Sequence, residues 1–294
     1  MVRIGINPLT WTNDDLPELG EHNSLETCLS EAKLAGYEGV ELGRKFPREA
    51  KTLAPILEQH GLNLVSGWYS ARLLERSVED EIKAMQAHAN LLKSLGASAI
   101  VFCEVSRCVH GDRRIPLSKR PRLAPKEWSP FLERLDALAR HLQDDGMKLA
   151  YHHHMGTVIQ AEDEVDRMMQ GTKSVGLLLD TGHLTFAGGD PMRALKRHAK
   201  RIVHVHCKDI RKDRLEQARK KDWSFLDAVV GDVFAVPGDG SIDFAPILKS
   251  LAGAGYAGWL VVEADQDPAK AHPLTHARIG HDCLRPLARR YWKA

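Results

Sequence analysis

Short apolar runs alternate with longer amphipathic stretches along the chain. The apolar runs are rich in β-branched residues, which is typical of buried parallel strands. The stretches between them place apolar residues three and four positions apart, the spacing of one face of an α-helix. Eight runs are predicted as strands: VRIGIN from Val2, GVEL from Gly39, LNLVSGW from Leu62, SAIVFCE from Ser98, MKLAYH from Met147, VGLLLD from Val175, RIVHVHC from Arg201 and GWLVVEA from Gly258.

The helical stretches carry signals at their ends. Asn23 is followed three residues later by Glu26, the spacing of a capping box, so the first helix is predicted to begin after Asn23. Glycine precedes several strands, as in AGYEGVEL and DDGMKLAY, at the position expected for a helix C-cap. Eight strand–helix alternations without a break in composition favour an α/β fold, a single (β/α)8 TIM-barrel domain over residues 1–294. The first strand leads into GINPLTW, which lacks a Gly-rich fingerprint and disfavours a doubly wound open sheet.

Two connections are longer than a barrel requires. They follow the fourth strand (Val105 to Leu123) and the seventh strand (Lys208 to Ser241). Long βα loops lie on the face of a barrel that carries the catalytic residues, so both are predicted to be lids or interface segments. The first loop is rich in arginine, and we expect its basic residues to be solvated or to contact another subunit rather than to bind phosphate.

Composition narrows the class of protein. The 294 residues carry a formal net charge of +2, which gives no electrostatic reason to expect nucleic acid or an acidic membrane as partner. No apolar run approaches the roughly 20 residues that cross a bilayer, and the N-terminus lacks the pattern of a secretion signal. The five cysteines are scattered without C-x-x-C spacing, as free thiols in a reducing cytoplasm are. We therefore expect a soluble cytoplasmic protein that acts on a small molecule, with homo-oligomerisation open.

Ionisable side chains end six of the predicted strands, where barrels place their chemistry. Strands five to eight end with His152, Asp180, His206 and Glu263, separated by 28, 26 and 57 residues. The first two intervals equal about one βα unit and the third equals one unit plus the long loop, so the four side chains can converge. Each alone has an ordinary structural explanation, but together they predict a mixed N/O site for one divalent ion, with Mn²⁺ or Co²⁺ preferred.

Other strand-end residues are candidates for catalysis and substrate binding. Strand alternation sends His152 and His154 to one face and His153 to the other, so His153 is predicted to be structural. The acid–base candidates beside the predicted metal are His154, His183, Lys208 and Glu104. The residues predicted to contact substrate are Trp68, Glu41 and Asp209, and the indole of Trp68 is equally suited to packing at the barrel mouth.

Five segments together resemble the inosose dehydratase branch of the xylose isomerase-like barrels: YHHHMGT, LDTGHLTFAGGDP, HVHCKD, PGDGSIDF and VVEAD. The resemblance extends over essentially the whole chain, from GINPLTW to the last strand. It implies metal ligands at Asp180, His206 and Glu263. The fourth ligand is a glutamate in many members of these barrels, whereas this position is His152 here. His152, His154 and water therefore remain alternatives for the fourth ligand.

The resemblance implies dehydration of 2-keto-myo-inositol (scyllo-inosose), a step of inositol catabolism. The residues suit this reaction, because a cation bound to a ketone and its neighbouring hydroxyl stabilises the enediolate left by loss of the α-proton. Elimination of a β-hydroxyl then needs a base and an acid. We predict that His154 or Lys208 moves the proton, that the other assists the leaving hydroxyl, and that His183 orients substrate oxygens.

Lys208 has two competing interpretations. A nearby dication is expected to disfavour its ammonium form and suit it to base chemistry. The alternative is a salt bridge to Asp209. At the level of function, the alternative is a metal-dependent ketose or keto-sugar epimerase or isomerase that uses the same enediolate. A catalytically inert sugar-binding barrel is a third possibility, and it leaves the four ligand-type residues unexplained.

Overall fold

The structure, a computed structural model, describes residues 2–292 and forms a closed parallel barrel in this range. Each barrel strand pairs with the next in chain order, and the last pairs with the first. The barrel strands are β1 (Arg3–Ile6), β2 (Gly39–Leu42), β3 (Asn63–Ala71), β4 (Ala99–Glu104), β5 (Lys148–His152), β6 (Gly176–Asp180), β7 (Ile202–Cys207) and β10 (Trp259–Val262). Two short strands, β8 (Asp209–Ile210) and β9 (Phe234–Ala235), form an antiparallel ribbon outside the barrel. The predicted TIM-barrel fold and its eight strands are confirmed.

Helices surround the barrel and cover its outer face. Their bounds are α1 (Leu25–Leu34), α2 (Ala50–His60), α3 (Val78–Ser94), α4 (Trp128–Asp144), α5 (Glu162–Gly171), α6 (Thr181–Phe186), α7 (Pro191–His198), α8 (Lys212–Lys221), α9 (Phe225–Val230), α10 (Phe244–Gly253) and α11 (Pro273–Tyr291). No helix within residues 2–292 is long and apolar enough to span a membrane.

Strand alternation divides the apolar residues between two cores. Leu177 and Leu179 of β6 point outward into the main core beneath the helices, whereas Leu178 points inward and packs against Val101 and Ala150. At the N-terminal end of the barrel, where the strands begin, the Trp259 ring fills the interior. Gly39 permits this, because a Cβ there would lie 2.8 Å from the Trp259 ring.

Helix α1 begins one residue later than its sequence predicts. Ser24 is the N-cap, and its hydroxyl accepts a hydrogen bond from the Thr27 amide at 3.0 Å. The Asn23 side chain instead donates to the carbonyl oxygen of Trp11 at 2.7 Å. The predicted Asn23 cap is therefore wrong, because a tertiary contact that the local spacing does not reveal uses the Asn23 amide.

The two long connections lie at the C-terminal mouth of the barrel. The connection after β4 spans residues 105–127, and the buried Arg120 guanidinium anchors it to Glu164 at 2.8 Å. The connection after β7 spans residues 208–243 and contains β8, α8, α9 and β9. Its apolar residues form a separate small core that includes Phe225 and Phe234. This second connection is therefore a folded wall against the mouth.

Candidate active site

A cavity of about 250 Å³ lies at the C-terminal mouth of the barrel. Strand ends and loops both contribute to its lining. Its polar lining residues are Asn7, Asp14, Asp15, Glu41, Trp68, Ser70, His110, His154, His206, Glu263 and Asp265. Five of these are carboxylates, and within residues 2–292 no lysine or arginine lines the cavity. Its electrostatic character favours a cation or an uncharged ligand over an anion.

Four buried ligand-type atoms meet beside this cavity. They belong to His152, Asp180, His206 and Glu263, and they lie within 4.8 Å of one another. Asp180 Oδ2 is 3.6 Å from both His152 Nε2 and His206 Nδ1, and Glu263 Oε2 contacts His206 Nδ1 directly. All four atoms are buried and have no hydrogen-bond partner outside this group, which is costly unless a further group satisfies them. One divalent cation would satisfy all four, so these residues fit a mixed N/O metal site.

The second polar atom of each candidate ligand is fixed by the protein. His152 Nδ1 donates to the carbonyl of His153 at 2.9 Å, which leaves the lone pair on Nε2. Asp180 Oδ1 accepts from the His183 amide at 2.7 Å as the N-cap of α6. His206 Nε2 lies 3.2 Å from Glu41 Oε1, and Glu263 Oε1 accepts from Lys208. Such outer contacts orient ligands and set the tautomer of a histidine.

Glu41 holds His206 from below. Its Oε1 also accepts from Ser66 at 2.6 Å and contacts His204 Nε2 at 2.8 Å, while its Oε2 accepts from Asn7 at 2.7 Å. Burial opposes the charge of Glu41, but His206 and His204 hold its pKa well below the ordinary value. Glu41 was predicted to contact substrate, and it does border the cavity, but its oxygens are engaged in orienting His206.

His206, one of the four candidate ligands, is surrounded by negative charge. Burial disfavours the charged form of His206, yet the carboxylates of Glu263 and Glu41 raise its pKa well above the ordinary value. A proton bound to His206 therefore neutralises the same negative charge that a bound cation would neutralise. Glu41, His204 and His206 form a second close group of ligand-type atoms, but these atoms are already paired with one another.

Lys208 is fully buried and makes three contacts. Its Nζ lies 2.5 Å from Asp265 Oδ2, 2.9 Å from His183 Nε2 and 3.3 Å from Glu263 Oε1. Burial opposes the ammonium form, but the carboxylates of Asp265, Glu263 and Asp180 raise the pKa of Lys208 above its ordinary value. The sequence-based expectation for Lys208 concerns the effect of a nearby dication and does not include these three carboxylates.

Asp209 and Glu104 lie away from the cavity. The Asp209 carboxylate accepts backbone N–H groups of Ile210, Gly238, Ser241 and Ile242, so it holds the 208–243 connection together. Glu104 accepts the amides of Leu73 at 2.6 Å and Ser106 at 2.8 Å. The structure therefore does not place these two predicted site residues against a substrate, nor does it form the alternative Lys208–Asp209 salt bridge. Both carboxylates instead accept hydrogen bonds from backbone N–H groups of the adjacent loops.

His154 lines the cavity, whereas His152 belongs to the ligand group. The Nδ1 of His154 donates to the carbonyl of Met155 at 2.9 Å, which leaves the lone pair of the neutral ring on Nε2. Burial, with smaller effects from His110 and Lys208, lowers the pKa of His154 well below its ordinary value. His154 is therefore a neutral imidazole able to accept a proton.

His183 and Trp68 pack around His154. The His183 ring lies 4.1 Å from the His154 ring between centroids, and Phe225 contacts both rings, at 5.8 Å from His183 and 4.9 Å from His154. Trp68 meets the edge of His154 at 5.4 Å and lines the cavity. Since His183 Nε2 contacts Lys208, this histidine supports Lys208 and does not line the cavity.

Six polar residues that line the cavity are absent from the sequence-based prediction: Asn7, Asp14, Asp15, Ser70, His110 and Asp265. Asp265 follows Glu263 by two residues, so strand alternation could have placed both on one face. Asp15 and His110 come from loops after β1 and β4, where no periodic signal exists. Both nevertheless line the cavity.

Comparisons with known proteins agree with this architecture. A profile of the family described as xylose isomerase-like TIM barrel matches residues 29–287. The rhizopine catabolism protein MocC of Rhizobium meliloti is 53% identical, over 98% of this chain and 89% of MocC. An inosose dehydratase of Geobacillus thermodenitrificans is 46% identical, over 97% of this chain and 96% of that enzyme. The crystal structure of the IolI protein with a bound zinc atom has a TM-score of 0.71, 16% identity and full coverage of both chains, a likeness of fold.

Proposed function

The chain belongs to the xylose isomerase-like TIM barrel family, and we propose that it removes water from 2-keto-myo-inositol with one divalent metal ion. It is an enzyme of the hydro-lyase class. The observation that carries the proposal is the group of four buried ligand atoms, which have no hydrogen-bond partner outside the group. This group lies beside a cavity lined by the neutral His154 and by Asp265, the carboxylate that contacts Lys208.

The cavity lining supports an uncharged polyhydroxylated substrate. Carboxylates accept hydrogen bonds from hydroxyl groups, and five carboxylate residues border the cavity. A phosphorylated sugar or a carboxylic acid would bring further negative charge beside these five carboxylates, and the described lining contains no lysine or arginine to pair with it. Lys208 does not supply that charge, because its ammonium is already held by Asp265, His183 and Glu263.

The metal is proposed to be held by His152, Asp180, His206 and Glu263, with Mn²⁺ or Co²⁺ preferred for this mixture of imidazole and carboxylate. When bound, it supplies electrostatic stabilisation of the negative charge that develops on the substrate oxygens. The protein contributes fixed orientation, since each ligand is tied through its other polar atom.

The base and the acid are assigned from opposite electrostatic environments. Surroundings that push two titratable groups in opposite directions mark a base and an acid. His154 is kept neutral, so its Nε2 accepts the α-proton. Lys208 is kept charged and contacts Asp265, which lines the cavity. The Lys208–Asp265 pair therefore supplies the proton to the leaving hydroxyl.

The elimination balances with these two groups. The α-proton moves to His154 Nε2, and the C–H electron pair becomes the new carbon–carbon double bond. The β-carbon–oxygen bond breaks with its electron pair on oxygen, and the proton from the Lys208–Asp265 pair completes the water molecule. The resulting enol tautomerises to the dione. Proton return from His154 to the lysine–aspartate pair restores the enzyme.

Ultraviolet absorbance with 2-keto-myo-inositol tests this proposal. We expect chelator-treated protein to give no change in absorbance. Added Mn²⁺ or Co²⁺ should produce a rise in absorbance from the conjugated dione. His154→Gln should lose the signal and keep its metal content. The matched control is His141→Gln at an exposed position near the end of α4, which should behave as the unchanged protein.

Metal binding without an absorbance rise would contradict the dehydratase. In that case the same mixture in D₂O separates the remaining possibilities. Incorporation of deuterium at the α-carbon without loss of water identifies an epimerase or isomerase. Absence of both signals identifies a barrel that does not act on this ketone.

A further inference from the structure

Asp15 and His110 face each other on the loop side of the cavity. Asp15 belongs to the connection between β1 and α1, and His110 belongs to the connection between β4 and α4. The distance from Asp15 Oδ1 to His110 Nε2 is 3.7 Å, which exceeds a normal hydrogen bond. These two polar groups are therefore close together without being satisfied by each other.

We propose that Asp15 and His110 together bind one hydroxyl group of the substrate and thereby determine its specificity. The inference rests on the proposed function, because it assigns a binding partner to the substrate in the same cavity. His206 and Glu263 border that cavity as well, so one ligand molecule in it meets both the metal site and the loop pair.

The chemistry of the pair is complementary to a hydroxyl group. A carboxylate only accepts hydrogen bonds, a neutral imidazole donates through one ring nitrogen, and an alcohol both donates and accepts. Two such partners 3.7 Å apart can contact the same alcohol oxygen. A keto group or an ether oxygen lacks the proton that Asp15 requires, and a second carboxylate would be repelled by it.

Both residues are held in place by local structure. The Asn13 side chain accepts the amides of Asp15 at 2.9 Å and Leu16 at 2.8 Å, a turn that fixes the Asp15 backbone. The backbone of His110 packs against Gly156, whose φ is +78° and where a Cβ would lie 2.9 Å from the His110 amide. Glycine at position 156 therefore permits the close approach of these two loops.

The ring of His110 is supported by aromatic neighbours. Its centroid lies 5.1 Å from that of His154 and 6.5 Å from that of Trp68, both in edge-to-face geometry. His110 Nδ1 is buried without a hydrogen-bond partner. The imidazole is thus held by packing rather than by a structural hydrogen bond, which leaves Nε2, the nitrogen that faces Asp15, for a ligand.

Calorimetric titration with 2-keto-myo-inositol and its monodeoxy analogues tests the assignment, with all proteins Mn²⁺-loaded and carrying His154→Gln so that the ketone is bound and not turned over. For Asp15→Asn and for His110→Gln we expect the dissociation constant to rise about tenfold to a hundredfold, as for a lost hydrogen bond to a charged group. The double variant should bind no more weakly than the worse single variant, because one hydroxyl serves both side chains. Metal affinity should be unchanged in all three.

One monodeoxy analogue supplies a test in which two ligands are compared on the same protein. It should bind the unchanged protein about tenfold more weakly than the parent ketone and should bind Asp15→Asn as well as the parent does. The control is Asp112→Asn in the connection that carries His110, where the carboxylate pairs with the exposed Arg114. This variant should discriminate between the ligands as the unchanged protein does.

The outcomes separate the two proposals. If the protein dehydrates 2-keto-myo-inositol and both variants bind every analogue as the unchanged protein does, the Asp15–His110 assignment is overturned and the proposed function stands. If the ketone is not dehydrated, titration with myo-inositol still tests the pair. Weaker binding of myo-inositol by the variants then supports the pair although the proposed function fails.

Discussion

The cavity is bounded by two walls that are built differently. The strand wall is the buried group of His152, Asp180, His206 and Glu263 at the ends of consecutive barrel strands, of which His206 and Glu263 line the cavity. The loop wall is formed by Asp15 and His110, which are partly exposed and belong to connections without regular structure. The strand wall carries groups whose positions must be fixed, whereas the loop wall carries groups that can vary without disturbing the barrel. The two proposals together assign chemistry and specificity to separate parts of one cavity.

The largest effect is expected where the strand wall loses its buried cation. Lys208→Met leaves Asp265 and Glu263 without their partner, and an unpaired buried charge costs about 3–5 kcal/mol. We expect a fall of this size in the free energy of unfolding of metal-free protein in urea, together with loss of turnover. Adding Asp265→Asn should recover part of the stability without restoring turnover.

The exposed Lys249 on α10 supplies the matched control for this change. Lys249→Met should leave stability and turnover unchanged. Full stability of Lys208→Met would contradict the description of Lys208 as the charge that holds the strand wall together.

The next effect concerns Glu263, one of the proposed metal ligands. Glu263→Gln removes one negative charge and one ligand oxygen from the group of four, so Mn²⁺ affinity should fall at least about a hundredfold, since loss of a supporting group alone costs about tenfold to a hundredfold. Isothermal titration with Mn²⁺ measures the change, and Glu216→Gln at an exposed position on α8 is the control. Equal affinity in both variants would remove Glu263 from the metal site.

A smaller effect is expected at Glu41, which contacts the proposed ligand His206 and is not itself one of the four. Glu41→Gln weakens the contact that orients His206 Nε2 and leaves all four ligand atoms in place, so we expect Mn²⁺ affinity to fall about tenfold. Turnover at saturating metal should recover most of its value, whereas Glu263→Gln should not recover. If high metal concentration fails to rescue Glu41→Gln, then Glu41 contacts the substrate directly, as its sequence position predicts.

The smallest effect lies on the loop wall and has a defined pH dependence. Burial raises the pKa of Asp15 to about 6, although the nearby charge of Lys208 acts in the opposite direction. Between about pH 4 and pH 6 the folded protein therefore holds a proton that the unfolded chain releases, and this contribution to stability is lost as the pH rises. Asp15→Asn should match the unchanged protein near pH 4.5 and exceed it near pH 7 by less than about 1 kcal/mol, because the side chain is about one-third exposed.

Urea unfolding of the metal-free protein at the two pH values measures this difference. A variant that is less stable than the unchanged protein at pH 7 would show that Asp15 stabilises the fold. That result would show that the loop wall belongs to the structural framework of the protein.

The eight strands and the ligand group were predictable because a barrel repeats one unit. The period of the apolar runs defined each strand, and strand ends of equal depth must meet at one mouth, so His152, Asp180, His206 and Glu263 follow from spacing. Choosing His152 over His154 was not possible from the chain, because alternation sends both to the same face. Their different depths in the barrel decide which one reaches the ligand group.

By itself, the sequence determined the barrel, its strand order and the residue types that end each strand, since these depend on local periodicity and on short connections. The tertiary structure alone decided which polar groups become partners. Lys208 is paired with Asp265 rather than Asp209, Glu104 is taken by backbone amides, and Asp15 lies opposite His110 from a loop 95 residues away. These contacts are long-range and lie in segments without periodicity, so their geometry is set by how the loops pack over the mouth and not by any pattern along the chain.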